Sequence, residues 1–358
     1  MGRMAIMAVL ALGVTMGIVG NSLYRSRKTL TEKVASFADY TIRRNLAQTA
    51  INMALRALDR GDTNFIRTRS KSVSAMQGNA TVTFRYDSSG HIPAVSTDTM
   101  VMTSVASFMD TTHYYMTLRL WRFPSPFPQL KGALGMMVPN VDFKISGKSA
   151  QIDGRNHDIN GNLTSDSSNK PAITVYTPSD TAAIYANTPD TNKQLLGTYP
   201  KVKVDSSLLA SDVAGYAGTY ISSADYVYNG PQNITGNLTW GTENNPAIVY
   251  LNATTGDIKV AGNVSGWGIL VCQGDLELAG TFTFHGLVLV FNQGSIKKDT
   301  LGLSTGTPDI IGGVMLAGPS GSSFTMKGND LIAYSAAALQ KAMYINKLQV
   351  YRIMRWYE

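Results

Sequence analysis

The sequence predicts an α+β protein built from a long hydrophobic N-terminal α-helix, a small antiparallel sheet, and a mainly β domain of parallel β-helix or solenoid type. Three observations predict it: an uncharged apolar run at the start, alternating strand patterns in the middle, and a short glycine-rich repeat near the end. The chain has 358 residues, of which 44% are hydrophobic and 15% charged. We place the three parts at residues 1–61, 62–134 and 135–358.

The helix is predicted from residue 4 to about residue 60. Residues 4–24 contain no charged side chain, and a helix of that length spans about 30 Å, the thickness of a bilayer core. Apolar residues then recur mostly three or four apart, and Gly61 stands where a left-handed C-cap would end the helix. The recurring positions are Leu30, Val34, Phe37, Thr41, Leu46, Ala50, Met53, Ala54, Ala57 and Leu58.

The first half of such a rod, roughly 85 Å long in all, extends past any small domain and must be buried in lipid or among copies of itself. We expect its small residues to permit close helix approach. The predicted membrane or filament-core positions are Ala5, Ala8, Ala11, Gly13, Gly17, Gly20 and Leu23. The alternative is a plain signal-anchor helix that stays in the bilayer.

The positive charge is concentrated in the N-terminal part. Residues 1–75 contain 12 basic and 4 acidic residues, against 19 and 20 in the remainder. Membrane phosphates are as plausible a counterpart for the basic stalk as DNA is, and the rest of the chain is close to neutral. A nucleic-acid partner is therefore not indicated.

Residues 2–13 read GRMAIMAVLALG and residues 47–56 read AQTAINMALR. With the repeats described below, these segments resemble the type IV pilin superfamily, and more narrowly the PilX-like pilus-assembly proteins with a C-terminal β-helix-like domain. The resemblance implies prepilin-peptidase cleavage after Gly2, N-methylation, and packing of the helices into a filament core. Two features depart from the family pattern. Pilins usually carry a glutamate at the fifth mature position, but the first acidic residue here is Glu32. A prepilin leader is normally basic, but only Met1-Gly2-Arg3 stands before the apolar run, so either a leader precedes residue 1 or the leader is only Met1-Gly2.

The middle part is predicted to be a three-stranded antiparallel meander that packs on the second half of the helix. Strands are expected at 80–86, 100–108 and 114–121, with turns at 87–90 and 110–113. Residues 63–80 are expected to be loop. Three prolines, at positions 124, 126 and 128, end the sheet.

The C-terminal part contains two kinds of repeat. Residues 159–176 recur as residues 234–250, and residues 256–262 (GDIKVAG) recur 18 residues later as GDLELAG. An 18-residue period fits stacked coils, with Ile258, Val260, Leu276 and Leu278 pointing inward. An antiparallel sandwich of hairpins is the alternative. A helix at 335–343 and a strand at 347–356 are expected to cap the solenoid.

Catalytic or metal chemistry is not predicted, and we expect no enzyme activity, cofactor or metal site. The histidines, at positions 91, 113, 157 and 285, lack ligand spacing, and Cys272 is the single cysteine, expected in the core. The cluster at 153–158 (DGRNHD) could pass for an active site, but a hydrogen-bonded turn that seals the first coil is favoured. A Ca²⁺ site using Asp153 and Asp158 is conceivable. His285 is interpreted as a turn residue.

Together these features predict a structural subunit of a type IV pilus-like extracellular filament at the cell surface. Its expected partners are copies of itself through the N-terminal helix, the inner membrane before assembly, and the pilus assembly machinery. A minor pilin or pseudopilin that primes or tips another fibre is the first alternative. The second is a membrane-anchored carbohydrate-active β-helix protein, in which Trp240, Trp267 and Tyr250 would stack on sugars.

Overall fold

A computed structural model describes residues 2–75, 78–87, 98–109, 112–207, 209–291 and 300–357. The chain forms two compact units. The first, unit 1, consists of Met1–Phe123 together with Val350–Glu358, and the second, unit 2, is Pro124–Gln349. Unit 2 is thus an insertion in the sequence of unit 1. The predicted class, an α+β protein with a long N-terminal helix, a small antiparallel sheet and a large mainly parallel sheet, is confirmed.

Helix α1 spans Gly2–Asp59 without interruption. It ends where predicted: Gly61 has a φ of 64°, a left-handed conformation that suits glycine. The Gly61 amide donates to the Leu58 carbonyl at 2.8 Å, and the Asp62 amide donates to the Ala57 carbonyl at 2.9 Å. These two bonds satisfy carbonyl groups that the last turn would otherwise leave unpaired.

The segment predicted as loop, 63–80, is instead largely regular. Helix α2 (Thr63–Thr68) is followed by strand β1 (Ser70–Ala75). The Asp62 carboxylate accepts hydrogen bonds from the amides of Asn64 and Phe65, both at 3.1 Å, and so caps α2. The loop prediction failed because β1 is too polar to show an alternating pattern.

Strands β2 (Gly78–Asp87), β3 (Asp98–Phe108) and β4 (Thr112–Pro124) extend the three predicted strands and pair antiparallel in sequence order, with β1 on the other side of β2. Residues 88–90 of the first predicted turn and 110–111 of the second lie outside the described residues, as does His91. One face of this sheet packs on α1. Its buried apolar residues are Ala80, Val82, Phe84, Met100, Met102, Ala106, Met116, Leu118 and Leu120.

Unit 2 is a curled sheet in which every named strand pair is parallel. The antiparallel sandwich is therefore wrong for the described residues. Its strands are β5 (Leu134–Met137), β6 (Asp142–Ile145), β7 (Gln151–Asp153), β8 (Ile173–Val175), β9 (Leu195–Leu196), β10 (Val202–Val204), β11 (Tyr226–Asn229), β12 (Gln232–Ile234), β13 (Asn237–Trp240), β14 (Ala247–Phe291), β15 (Thr300–Gly306), β16 (Asp309–Ala317), β17 (Ser323–Met326) and β18 (Leu331–Tyr334).

The 18-residue repeat corresponds to successive layers of this sheet. Strand β14 runs through 45 residues, and Gly280 lies directly over Gly262, so that a Cβ on Gly280 would come within 2.7 Å of the Gly262 carbonyl oxygen. With a φ of 74°, Gly280 is a position that glycine alone fills without strain. The four predicted inward residues, Ile258, Val260, Leu276 and Leu278, are all buried.

The longer repeat is confirmed only in part. The sequence Pro-Ala-Ile begins a parallel strand in both copies, at β8 and at the start of β14. By contrast, residues 159–164 form a turn closed by a bridge between His157 and Leu163, whereas their counterparts lie in β12 and β13.

The layers do not follow the order of the chain. Strands β5, β6 and β7 pair with β16, β17 and β18, so the first segment of unit 2 stacks on its last segment. Helices α3 (Pro178–Ala186) and α4 (Thr191–Gln194) lie within the first segment, and α5 (Ala210–Ser222) connects β10 to β11. Helix α5 contacts β14 and β16. The parts of these two strands that lie near α5 are buried on both faces of the sheet.

The predicted cap is half correct. Helix α6 (Ala336–Met343) begins after Ser335, whose hydroxyl accepts from the Ala338 amide at 3.2 Å, and it packs on β14. A 3₁₀ turn, Asn346–Leu348, then leads to strand β19 (Gln349–Tyr357). Strand β19 does not cap the solenoid, because it joins the sheet of unit 1 beside β4. Its alternating sequence suits either sheet, so the pattern alone could not select the partner.

Candidate functional site

The first half of α1 exposes a continuous apolar surface. Eleven large apolar side chains between Met4 and Leu23 are each 57–85% exposed. Burying one such side chain stabilises a protein by about 1.5–3 kcal/mol, and monomers rarely expose apolar patches of this extent. The eleven are Met4, Ile6, Met7, Val9, Leu10, Leu12, Val14, Met16, Ile18, Val19 and Leu23.

The apolar side chains surround the helix instead of forming a stripe. A helix that is apolar on every side requires lipid or protein around it. By length and composition, the helix that runs from Arg3 to Asp59 qualifies as a candidate membrane span, and its most apolar window is unburied. Basic residues Arg25, Arg27 and Lys28 follow that window.

The predicted small residues lie on this exposed surface. A Cβ added at Gly13, Gly17 or Gly20 would meet nothing within 4 Å. At 100° per residue, these three glycines fall within about 60° of one another, while Ala8 and Ala11 fall on the opposite side of the helix. Ala5 lies between the two groups. Gly13 and Gly17 are four residues apart, a spacing that is a known helix-contact pattern.

The second half of α1 is covered by the sheet of unit 1. The predicted apolar stripe is buried from Leu46 onward except at Met53, which is 41% exposed, whereas Leu30, Val34 and Phe37 remain 61–70% exposed. Leu46, Ile51 and Leu58 are buried against the sheet. Four alanines of this half are buried there too, namely Ala47, Ala50, Ala54 and Ala57. The stripe was thus predicted over a longer stretch of helix than the sheet covers.

Gly2, the predicted cleavage position, is the first residue of α1. Cleavage after it would leave Arg3 as the first residue of a helix that is otherwise unchanged. The cleavage itself stays a prediction.

The cluster at 153–158 forms a closed network. The buried Asp153 carboxylate accepts from Arg155 Nη2 at 2.6 Å and from Arg155 Nε at 3.0 and 3.1 Å. His157 Nε2 lies 3.6 Å from the same carboxylate, and Nδ1 lies 2.7 Å from the Arg155 carbonyl oxygen. Both ionisable partners of Asp153 are thus engaged within the turn.

The other members of this cluster form hydrogen bonds with neighbouring loops. The Asn156 side chain contacts Thr164 and Asp166 and accepts from the Ala336 amide at 2.9 Å. Asp158 accepts from the amides of Asn160 and Asn162, and the bonds from Asn162 lower the pKa of Asp158. This arrangement is that of a structural turn. No group of three or more potential metal-ligating side chains occurs among the described residues.

The aromatic residues proposed for sugar stacking are not gathered into one surface. Trp240 is buried, with its Nε1 donating to the Tyr228 hydroxyl at 3.0 Å, and the Tyr250 hydroxyl donates to Gln273 at 2.8 Å. Trp267 stacks on His285 at a centroid distance of 4.1 Å. The prediction that His285 is a turn residue is wrong, because His285 lies inside β14. Its burial lowers its pKa. Cys272 is fully buried, as predicted.

A shallow groove of about 320 Å³ lies elsewhere on the outer face of the curled sheet. Its lining is mostly charged and polar, with Ile258 and Leu276 as its large apolar residues, and it contains no aromatic side chain. Lys259 Nζ lies 2.8 Å from Glu277 Oε1 on its floor, and this bond lowers the pKa of Glu277. The groove does not combine a stacking platform with polar groups, which a sugar-binding site would need.

These observations define an α+β protein with an exposed apolar N-terminal helix long enough to span a bilayer. No family model matches the chain, and no curated protein matches it. Among solved structures, the crystal structure of the competence-associated pilin ComZ from Thermus thermophilus is similar over 89% of this chain and 97% of that chain, at 8% identity and a TM-score of 0.25. The exposed surface of α1, and not this distant likeness, carries the functional argument.

No role was predicted from the sequence for the region 180–230, where α5 lies, or for β19 as an edge strand of the described sheet. The signal for α5 was present: Val213, Ala214, Ala217 and Tyr220 are spaced as one helical face, and all four are buried. The edge of β19 had no such signal, because its position depends on a pairing between distant parts of the chain.

Proposed function

We propose that this protein is a structural subunit of a type IV pilus-like extracellular filament, assembled through packing of α1 with the same helix of other copies. Before assembly the helix would anchor the chain in the inner membrane, and pilus assembly machinery would extract it. The β structure would then form the outer surface of the filament. No catalytic step is part of this proposal.

The observation that carries the proposal is the exposed apolar surface between Met4 and Leu23. Leaving it in water would forgo on the order of 20 kcal/mol of burial free energy. A bilayer supplies that burial for a single chain, and neighbouring helices supply it once the chain leaves the bilayer. The proposed role is supported by the fact that no other described part of the chain covers the first half of α1.

The distribution of small residues supports an array of helices over a simple pair. A two-helix contact needs small residues on one side only. Here Gly13, Gly17 and Gly20 lie on one side and Ala8 and Ala11 on the other, so that close neighbours fit on two opposite sides. Repeated helix contacts on opposite sides extend into a filament and do not close into a dimer.

The double substitution Gly13→Leu/Gly17→Leu tests this proposal. Both positions face open space in the single chain, so the variant should fold and insert into the membrane normally. We expect a loss of at least tenfold in filaments recovered by shearing, with an unchanged level of membrane-bound protein. The matched control is Gly215→Leu/Gly218→Leu on α5, where the added side chains also meet open space. Normal filament yield from the first variant would contradict the proposal.

A minor pilin or pseudopilin is the second candidate, favoured by the absence of any acidic residue before Glu32 and by the large size of unit 2. Abundance separates the two roles. A major subunit dominates sheared surface material, whereas a minor subunit is found there in trace amounts. Mass spectrometry of sheared fibres measures the ratio and also shows whether the chain begins after Gly2.

A carbohydrate-active role is the weakest of the three candidates, because the aromatic residues that suggested it are buried or engaged within the fold. Hydrolase or lyase activity of the purified full-length protein on polysaccharides would restore it.

A further inference from the structure

The sheet of unit 1 has two edge strands of very different character. Strand β1 has the sequence SKSVSA, which is short and polar, and Lys71 is its second residue. Strand β19 has the sequence QVYRIMRWY, which is longer and mostly apolar. Edge strands expose unpaired backbone groups, and proteins protect such edges with charge and short length. Strand β1 is protected in this way, and β19 is not.

The side chains of β19 are exposed on both faces of the sheet. Tyr351 packs against the core of unit 1, but the remaining large apolar side chains of the strand are 36–51% exposed. These are Val350, Ile353, Met354, Trp356 and Tyr357. On the neighbouring strand β4, Trp121 is also exposed. An apolar edge of this kind is typical of a surface that receives another strand.

The charges on β19 identify the kind of strand that would fit. Between Asp330 and Glu358, which directly follows β19, the sequence contains no acidic residue, and Arg352 and Arg355 are both exposed. Neither arginine forms an ion pair with another described residue. Pairing of two copies of β19 would bring four guanidinium groups together, which disfavours a second copy as the occupant. Carboxylates on a different strand would pair with them.

We propose that β19 is a docking edge for an extended acidic segment of another protein, which adds to the sheet of unit 1 as a further strand. Backbone hydrogen bonds along β19 supply the pairing, and apolar side chains of the partner cover Ile353 and Trp356. Arg352 and Arg355 are three residues apart, so they project from opposite faces of the strand. The partner therefore carries acidic residues three positions apart, separated by apolar or β-branched residues.

Fluorescein-labelled peptides test this proposal on the full-length protein in detergent micelles, with binding followed by fluorescence anisotropy. We expect (Glu-Val-Thr)₄ to bind saturably. The peptide (Lys-Val-Thr)₄ reverses the charge, and (Glu-Val-Pro)₄ keeps the charge but cannot form a strand. Both are expected to bind at least tenfold more weakly. Equal binding of the proline peptide would overturn strand addition.

The variant Arg352→Glu/Arg355→Glu should reverse the preference, so that (Lys-Val-Thr)₄ becomes the tighter ligand. The matched control Arg85→Glu/Lys203→Glu changes the net charge equally at exposed positions outside β19 and should leave binding unchanged. Equal losses in both variants would overturn the proposal, since binding would then follow net charge alone. Concentration-dependent dimerisation that Ile353→Pro removes would also overturn it, by identifying a second copy as the occupant. Filament formation plays no part in these measurements, so their outcome is independent of the proposed function.

Discussion

The two halves of α1 use the same residue type in opposite surroundings. Ala47, Ala50 and Ala54 in the second half are completely buried, because the sheet of unit 1 packs closely against them. Ala8 and Ala11 in the first half are exposed. Small residues on a helix permit close packing. The sheet supplies that packing in the second half, and our proposal assigns it to other copies in the first half.

The largest expected effect on stability comes from replacing one large side chain in each half of α1 with alanine and comparing the two variants. Ile51→Ala empties a fully buried position and should lower the free energy of unfolding of unit 1 by about 3 kcal/mol. The matched change Ile18→Ala, at an exposed position, should leave it unchanged in detergent. Chemical unfolding followed by circular dichroism measures both variants. Similar losses would show that the first half is also packed within its own chain.

A smaller effect follows from enlarging a small residue. Ala54→Leu forces a bulky side chain into the contact between α1 and the sheet, which should cost about 1–3 kcal/mol. Ala11→Leu meets no such contact and should leave thermal unfolding of the detergent-solubilised chain unaltered. Should Ala11→Leu lower the melting temperature as much as Ala54→Leu does, the proposed difference between the halves is wrong.

A third effect, no larger than the second, assigns an unfolding transition to unit 2. Burial raises the pKa of Asp330 in unit 2 to about 7, with a further contribution from nearby Asp309, so the folded state prefers the protonated acid. The stability contributed by protonation is present at low pH and is lost as the pH rises from about 4 through 7. Unit 2 should therefore lose on the order of 2 kcal/mol between pH 5 and pH 8.

Asp330→Asn should reduce this pH dependence, because the carboxamide does not titrate. The local structure should be kept, because the amide oxygen can still accept the hydrogen bond that the Lys327 amide donates to Asp330 at 2.9 Å. The exposed Asp257→Asn serves as the control. Differential scanning calorimetry at both pH values resolves the transition that moves. An unchanged slope in Asp330→Asn would show that the titrating group lies elsewhere, and the α1 variants should leave this transition in place.

Local signals in the sequence predicted much of the fold. The helix, its end at Gly61, and the inward residues of the 18-residue repeat all depend on neighbours close along the chain. The partner of β19 and the stacking of β5 on β16 could not be predicted in this way. Both join strands that are more than 170 residues apart, and an alternating strand fits either sheet equally well.

The sequence predicted where on α1 the exposed apolar surface begins, but not how far along the helix it extends. Composition places its apolar run at residues 4–24, yet the point where the sheet begins to cover the helix depends on how far β2, β3 and β4 reach. Contact with the sheet is already made at Tyr40 and Ile42, and full burial begins at Leu46, so the exposed part is longer than the uncharged run. The closed network around Asp153 likewise required the fold, because its loops meet α6 from a distant part of the sequence.

The point of insertion of unit 2 has a consequence for how such proteins can diversify. The chain leaves β4 at Pro124 and returns at Gln349, and the Ser125 amide donates to the Leu348 carbonyl at 2.7 Å, so exit and return lie side by side. A module whose two ends meet can be excised, enlarged or exchanged at that junction while the remaining scaffold keeps its own core. Unit 1 can therefore accept a change in the size or sequence of its insert without a change in its own core.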